Sequence, residues 1–251
     1  MTASHWQGWR WPLLWLGLLL AATFGLPQLE AGFRAIEPGA RAVIYSQASF
    51  SGLLVKHLLL VAAAACAAVA LGVGTAIMVS RPWGRDFLPL ASQVASIGQT
   101  FPPVAVLALA VPALGFGVLP TLFALVLYGV LPILRNSLAG LHGIAPAVLE
   151  AARGMGMSPW QVLWQVELPL ASAVIVAGSR TSVTINIATA AIGSTIGAST
   201  LGDPIISGLV NGNSAYVVQG ALLIGLLALT VDSLFERVQN RLPGPAAVAL
   251  G

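Results

Sequence analysis

Long charge-free runs dominate the chain, separated by short clusters of Arg, Pro and Gly. A membrane-spanning helix needs about 20 mostly apolar residues, and six stretches answer that description. The first runs from about Trp11 to Pro27, and the second from about Leu58 to Val79, between Lys56/His57 and Arg81. The third and fourth share the uncharged stretch from Phe87 to Leu134, with the break expected between Pro112 and Pro120, around Gly115 and Gly117. The fifth runs from about Leu170 to Ala191 and the sixth from about Tyr216 to Phe235. The pattern predicts an all-α, polytopic helical membrane protein with about six transmembrane helices.

Composition agrees. Of 251 residues, 57% are hydrophobic and 8% charged, against about 25% charged in soluble domains. An intrinsically disordered chain is excluded, and so low a charge does not suit a large soluble enzyme. Cys66 is alone, so no disulfide framework exists; it reads as a small buried apolar side chain in an alanine-rich run. The first stretch also reads as a signal peptide, with Arg10 ahead of a short leucine-rich core. It lacks a clean small-x-small cleavage site, and Trp6, Trp9, Trp11 and Trp15 suit a helix anchored at the headgroup level.

The net charge of +3 is scattered singly, which excludes a nucleic-acid surface. It does set an orientation. With a cytoplasmic N-terminus, Arg10, Arg81, Arg85, Arg135, Arg153, Arg237 and Arg241 fall inside, and Arg34, Arg41 and Lys56 outside. Seven against three places both termini in the cytoplasm. Glu30 to Ser51 is then an external loop, expected to be a solvated connection.

The loop from Leu138 to Pro169 has its own pattern. Pro146 suits a first-turn proline, and Gly154 or Gly156 a left-handed cap. Ser158-Pro159-Trp160-Gln161 reads as a capping box opening a second short helix that Pro169 stops. Leu149, Met155, Met157, Trp160, Leu163 and Trp164 are awkward in water. They suit either a helix pair lying on the bilayer or a docking element for a cytoplasmic partner.

Glu150-Ala151-Ala152, then Gly156, Val166 and Leu168-Pro169, match the E-A-A-x3-G-x9-I-x-L-P signature with one Ile-to-Val change. The chain thereby resembles the permease subunits of ABC importers, with a five-helix type I (MetI-like) core. The resemblance spans about Leu53 to Asn240. The chain divides accordingly into residues 1–52 (first helix and external loop), the core 53–240 with the loop 138–169, and a tail 241–251. Val55–Val61, Ser96–Leu109, Ala177–Ser182 and Ile196–Leu209 are similar to the quaternary-amine, or osmoprotectant, uptake permeases. Those systems import glycine betaine, choline and related solutes. In the last of these segments the family has Asn-Tyr or a similar pair where this chain has Asp203-Pro204.

The resemblance implies a permease in a bacterial cytoplasmic (inner) membrane, among lipid. It implies an ATP-binding cassette subunit, a second permease subunit, identical or homologous, and an external solute-binding protein. The loop residues Glu150, Ala151, Ala152, Gly156, Trp160, Val166, Leu168 and Pro169 would couple to the ATPase. The same-class alternative is an importer for an amino acid or a sulfonate, and the other is a self-sufficient carrier or channel.

Polar groups within spans are the pathway candidates. Ser182, Asn186, Thr189 and Gly193 share one helical face, which reads as a packing seam or a pathway wall. Arg180 is the only charge well inside a span, as a structural anchor or a gate. Gln99 precedes Pro102-Pro103, which should bend or break the third helix. Asp203 has few local partners and is expected to be solvated or to meet a binding protein. His5, His57 and His142 show no metal-ligand spacing, and no catalytic constellation emerges. No P-loop is present, Lys56 being the only lysine. The chain is expected to bind no cofactor itself, with ATP held on the partner subunit.

Overall fold

A computed structural model describes residues 9–242, and every regular element among them is a helix. His5, Trp6 and the tail from residue 243 onward lie outside the described residues. The chain runs α1 (Arg10–Gly25) with a tight turn over Leu26–Gln28, α2 (Glu30–Ile36), α3 (Phe50–Ser80), α4 (Leu88–Thr100), α5 (Pro103–Leu114) and α6 (Val118–His142). Then follow α7 (Pro146–Gly154), α8 (Pro159–Val162), a widened turn Leu163–Glu167, α9 (Leu168–Ala190), α10 (Asp203–Asn211) and α11 (Ser214–Gln239).

Among the described residues, five rods are long and apolar enough to cross a bilayer: 10–28, α3, α6, 159–196 and α11. The stretch from Arg85 through α4 and α5 qualifies as a sixth, broken one. Large apolar side chains face outward, as lipid-facing positions must: on α1, Trp11, Leu14 and Phe24 are exposed. Cys66 is exposed as well, not buried. An alanine-rich stretch has little bulk to cover its neighbours, and in lipid a thiol needs no cover.

The breaks follow from backbone chemistry. Pro102, with ψ of 139°, is held extended by the proline after it, so α4 ends at Thr100 and Pro103 opens α5. Gly115 (φ 78°) and Gly117 (φ 99°) separate α5 from α6.

The chain forms two compact units. The first comprises, among the described residues, 9–65, 101–126 and 183–234. Its core includes Leu53, Leu125, Ile187, Leu201 and Leu223. His57 lies here too, fully buried, where sequence placed it at a helix flank. Its Nδ1 accepts from the Leu201 N–H at 3.3 Å, which leaves Nε2 to donate to the Ile187 carbonyl at 3.1 Å.

The connection after α2, expected to be solvated, is exposed along much of its length but anchored at one short stretch. Val43 and Tyr45 are buried. Gln219 donates to the Val43 carbonyl at 2.6 Å and accepts from the Tyr45 N–H at 3.0 Å, and Asn213 donates to Ala42 at 2.8 Å. Burial, then the nearby Asp203 and Tyr216, holds the Tyr45 phenol above the usual tyrosine value. Asp203 has local partners after all: its Oδ1 accepts from the Ser194 hydroxyl at 2.5 Å and the Thr200 N–H at 3.3 Å.

The second unit holds 66–100, 127–182 and, at the end of the described residues, 235–242. Its core is Ala76, Val79, Leu131, Leu134, Leu138, Leu141 and Ala171. A Cβ on Gly178 would lie 2.6 Å from that of Asn136, so α6 and α9 approach as closely as small residues allow.

Candidate functional site

The 138–169 loop lies wholly in the second unit. Ala145 is extended ahead of Pro146, which occupies the first turn of α7. At the other end Gly156 has φ 84°. The Met157 N–H donates to the Ala152 carbonyl at 3.2 Å and the Gly156 N–H to the Arg153 carbonyl at 2.9 Å. That pair of bonds is a Schellman cap, with Gly156 and not Gly154 as its left-handed residue. Two residues on, Ser158 opens α8. The Ser158 N–H donates to Gln161 Oε1 at 2.8 Å, and the Gln161 N–H donates to Ser158 Oγ at 3.3 Å. The expected capping box is formed. Back-to-back caps make the turn a stiff corner.

Pro169 does not end the second helix. The rod continues from Pro159 to Ile196, 38 residues. The reason lies just upstream, where the Leu168 N–H reaches back five residues to the Leu163 carbonyl. A widened turn moves carbonyls off the proline ring and asks no N–H of residue 169.

What the loop presents outward is apolar. Met155 is 77% exposed, Trp160 67% and Trp164 58%. The two indoles meet edge to face, with centroids 6.0 Å apart. Ala152, Val162 and Leu163 point inward, each about 2% exposed. Glu150 and Ala151 are exposed, as is Pro169, while Val166 and Leu168 are half-buried. Glu167, which the sequence reading passed over, is buried and ion-paired with Arg81. That pair ties the loop's end to the residue just past α3. Its signal in the sequence is faint: a lone carboxylate beside an otherwise apolar turn.

The pathway candidates scatter. Gln99 donates to the Tyr128 carbonyl at 2.8 Å, a packing link. Pro102 is exposed and Pro103 half-buried at the helix break. Arg180 is paired within the chain, 3.5 Å from Glu236. On α9, Ser182 and Asn186 are completely buried, and neither side chain finds a hydrogen-bond partner. Thr189 bonds back to the Ile185 carbonyl at 2.9 Å. A Cβ on Gly193 would meet Thr121 at 2.5 Å, which makes the far end of that face a packing seam.

Among the described residues no group of His, Cys, Asp or Glu is arranged to hold a metal.

Comparison with known proteins completes the site. Residues 68–243 match the binding-protein-dependent transport system inner membrane component family. The osmoprotectant import permease protein OsmY of Salmonella typhimurium is 40% identical over 187 residues, covering 74% of this chain and 79% of that protein. The carnitine transport permease protein OpuCB of Listeria monocytogenes is 38% identical over 204 residues, covering 80% and 92%. The choline transport system permease protein OpuBB of Bacillus subtilis is 41% identical over 149 residues, covering 59% and 69%. A chain of the inward-facing MetNI methionine ABC transporter has the same fold, with TM-score 0.67 at 21% identity over 78% of this chain and 98% of that one.

Proposed function

Since the chain belongs to the binding-protein-dependent transport system inner membrane component family, we propose that it forms the translocation pathway of an ATP-driven importer for osmoprotectants. Glycine betaine, choline and carnitine are the solute class, in line with what its relatives are named for. The chain is non-catalytic, and ATP is hydrolysed on a separate ATP-binding cassette subunit. A second permease subunit and an external binding protein complete the assembly in the cytoplasmic membrane. Both termini face the cytoplasm, by the seven-to-three excess of basic residues.

The observation that carries the reading is the capped corner at 154–158 with Met155, Trp160 and Trp164 outside it. Three large apolar side chains on a rigid turn fit a cleft in the ATPase. Glu150, Ala151, Ala152 and Gly156 shape the first half of that contact; Val166, Leu168 and Pro169 join it to α9. ATPase closure pushes on α8, and the push enters the span directly because both are one rod. Rocking of packed helices then alternates access. Pro102, Pro103 and Thr189 are the pathway candidates at the surface of this chain, with Gln99 behind the break and Arg180 held at the margin. Ser182 and Asn186 serve the packing of α9. The binding protein selects the solute, so the pathway needs only weak affinity.

The test is co-purification with candidate ATP-binding subunits, followed by ATPase activity with a purified binding protein and betaine or choline. Stimulation by the loaded binding protein is expected. A stable complex stimulated only by an amino-acid or sulfonate binding protein moves the solute class. Flux through the chain alone, with no ATPase present, overturns the importer.

A further inference from the structure

We propose that the cleft at the ends of α3 and α6 binds the phosphate group of an anionic membrane lipid. The cleft measures about 400 Å³ and is lined by Arg81, Arg85, His142, Leu149, Arg153 and Glu167, among others. These come from the α3–α4 connection, the last residue of α6, α7 and the widened turn, all in the second unit.

The charge in it does not balance. Arg81 and Glu167 compensate each other. Arg85 and Arg153 are exposed and have no ion-pair partner among the described residues. Arg81 also keeps a buried Nε–H with no acceptor. Two exposed guanidiniums with no ion-pair partner beside a small cavity suit the several oxygens of a phosphate.

Depth selects the source of that phosphate. α3 and α6 are spans, so their ends lie where headgroups lie. Trp83 and Phe87 bracket Arg85 in sequence and are 70% and 56% exposed. Exposed aromatics beside basic residues mark the headgroup level and serve no purpose for a free anion. Basic pockets between spans recognise lipid headgroups in this way. Arg153 belongs to α7, so a bound headgroup links the loop 138–169 to the span ends.

The test needs no transport activity. The purified full chain in detergent is titrated with phosphatidylglycerol, phosphatidylcholine and inorganic phosphate, and bound adducts are counted by native mass spectrometry. Phosphatidylglycerol is expected to bind in preference to phosphatidylcholine. R85Q/R153Q should weaken it by about 30-fold, from two basic residues at the membrane surface. R85K/R153K keeps the charges but not the forks and should fall between wild type and R85Q/R153Q, and R34Q/R41Q, outside the cleft, should keep all of the affinity. If the double variant fails to fold, R85Q and R153Q singly should each cost about fivefold. Equal lipid binding by wild type and R85Q/R153Q overturns the proposal. So does binding of inorganic phosphate without any preference between the two lipids, which makes the ligand a free anion. Unchanged lipid binding with loss of the ATP-binding subunit from the double variant makes the cleft a protein contact instead.

Discussion

Gly156 shows how much a single backbone angle decides. Its φ of 84° suits glycine alone, and proline fixes φ near −65°. Gly156→Pro should therefore unmake the corner and reduce solute uptake by at least about tenfold, a loss of some 1.4 kcal/mol of coupling. Immunoblotting of membranes should find the protein at its normal level, because no span is touched. Arg81 and Glu167 work differently, since each leaves the other stranded. Arg81→Ala should cost about 2–3 kcal/mol, below the figure for fully buried pairs because the arginine is partly exposed. The apparent Tm of the purified chain in detergent measures this, and Glu167→Gln should lower it less. His57→Phe removes both an acceptor and a donor from a fully buried site. It strands the Leu201 N–H, at about 1–3 kcal/mol, and takes from the Ile187 carbonyl, already bonded within α9, its second donor; the same thermal assay should register the loss.

Among the elements, the widened turn at Leu163–Glu167 has the largest leverage. It holds one more residue per turn than its surroundings, so removing one residue there restores ordinary helix geometry. Everything before it then rotates by about 100° relative to α9. Deletion of Gln165 should turn Trp160 and Trp164 away from their present face and abolish uptake, while insertion into the membrane persists. Single-turnover flux and membrane fractionation check the two halves. This element also marks what the sequence could reveal. Caps were legible because their partners stand within six residues: Ser158 with Gln161, Ala152 with Met157. The spans were legible because lipid demands an apolar surface all round. The widened turn was not, since one residue too many leaves no compositional trace, and Pro169 pointed to a stop. His57 misled for another reason. Its partners are Ile187 and Leu201, 130 and 144 residues away, and no local pattern separates a flanking histidine from a buried one. Asp203 misled likewise, because a fold of the chain, not a helical repeat, brings Ser194 to it.

At the level of the whole molecule, orientation is the property most open to a direct check. Cys66 is the only cysteine, so Cys66→Ser gives a clean background. Met155→Cys should then react with a membrane-impermeant maleimide only in inside-out vesicles. Ala40→Cys should react only in right-side-out ones. The reverse pattern would put the loop 138–169 outside and remove it from any ATPase. The tethered loop between α2 and α3 bears on a different matter, the order in which the chain is completed. Ala42, Val43 and Tyr45 are held by Asn213 and Gln219, residues 171 to 176 positions later. At about 5–20 residues per second, the ribosome reaches those partners roughly 9–35 s after it has made the loop. For that interval Val43 and Tyr45 are uncovered and their backbone groups unpaired. A chain cut short before α11 lacks Gln219 and keeps Val43 and Tyr45 that way for good, so closure of the loop waits until synthesis has entered α11.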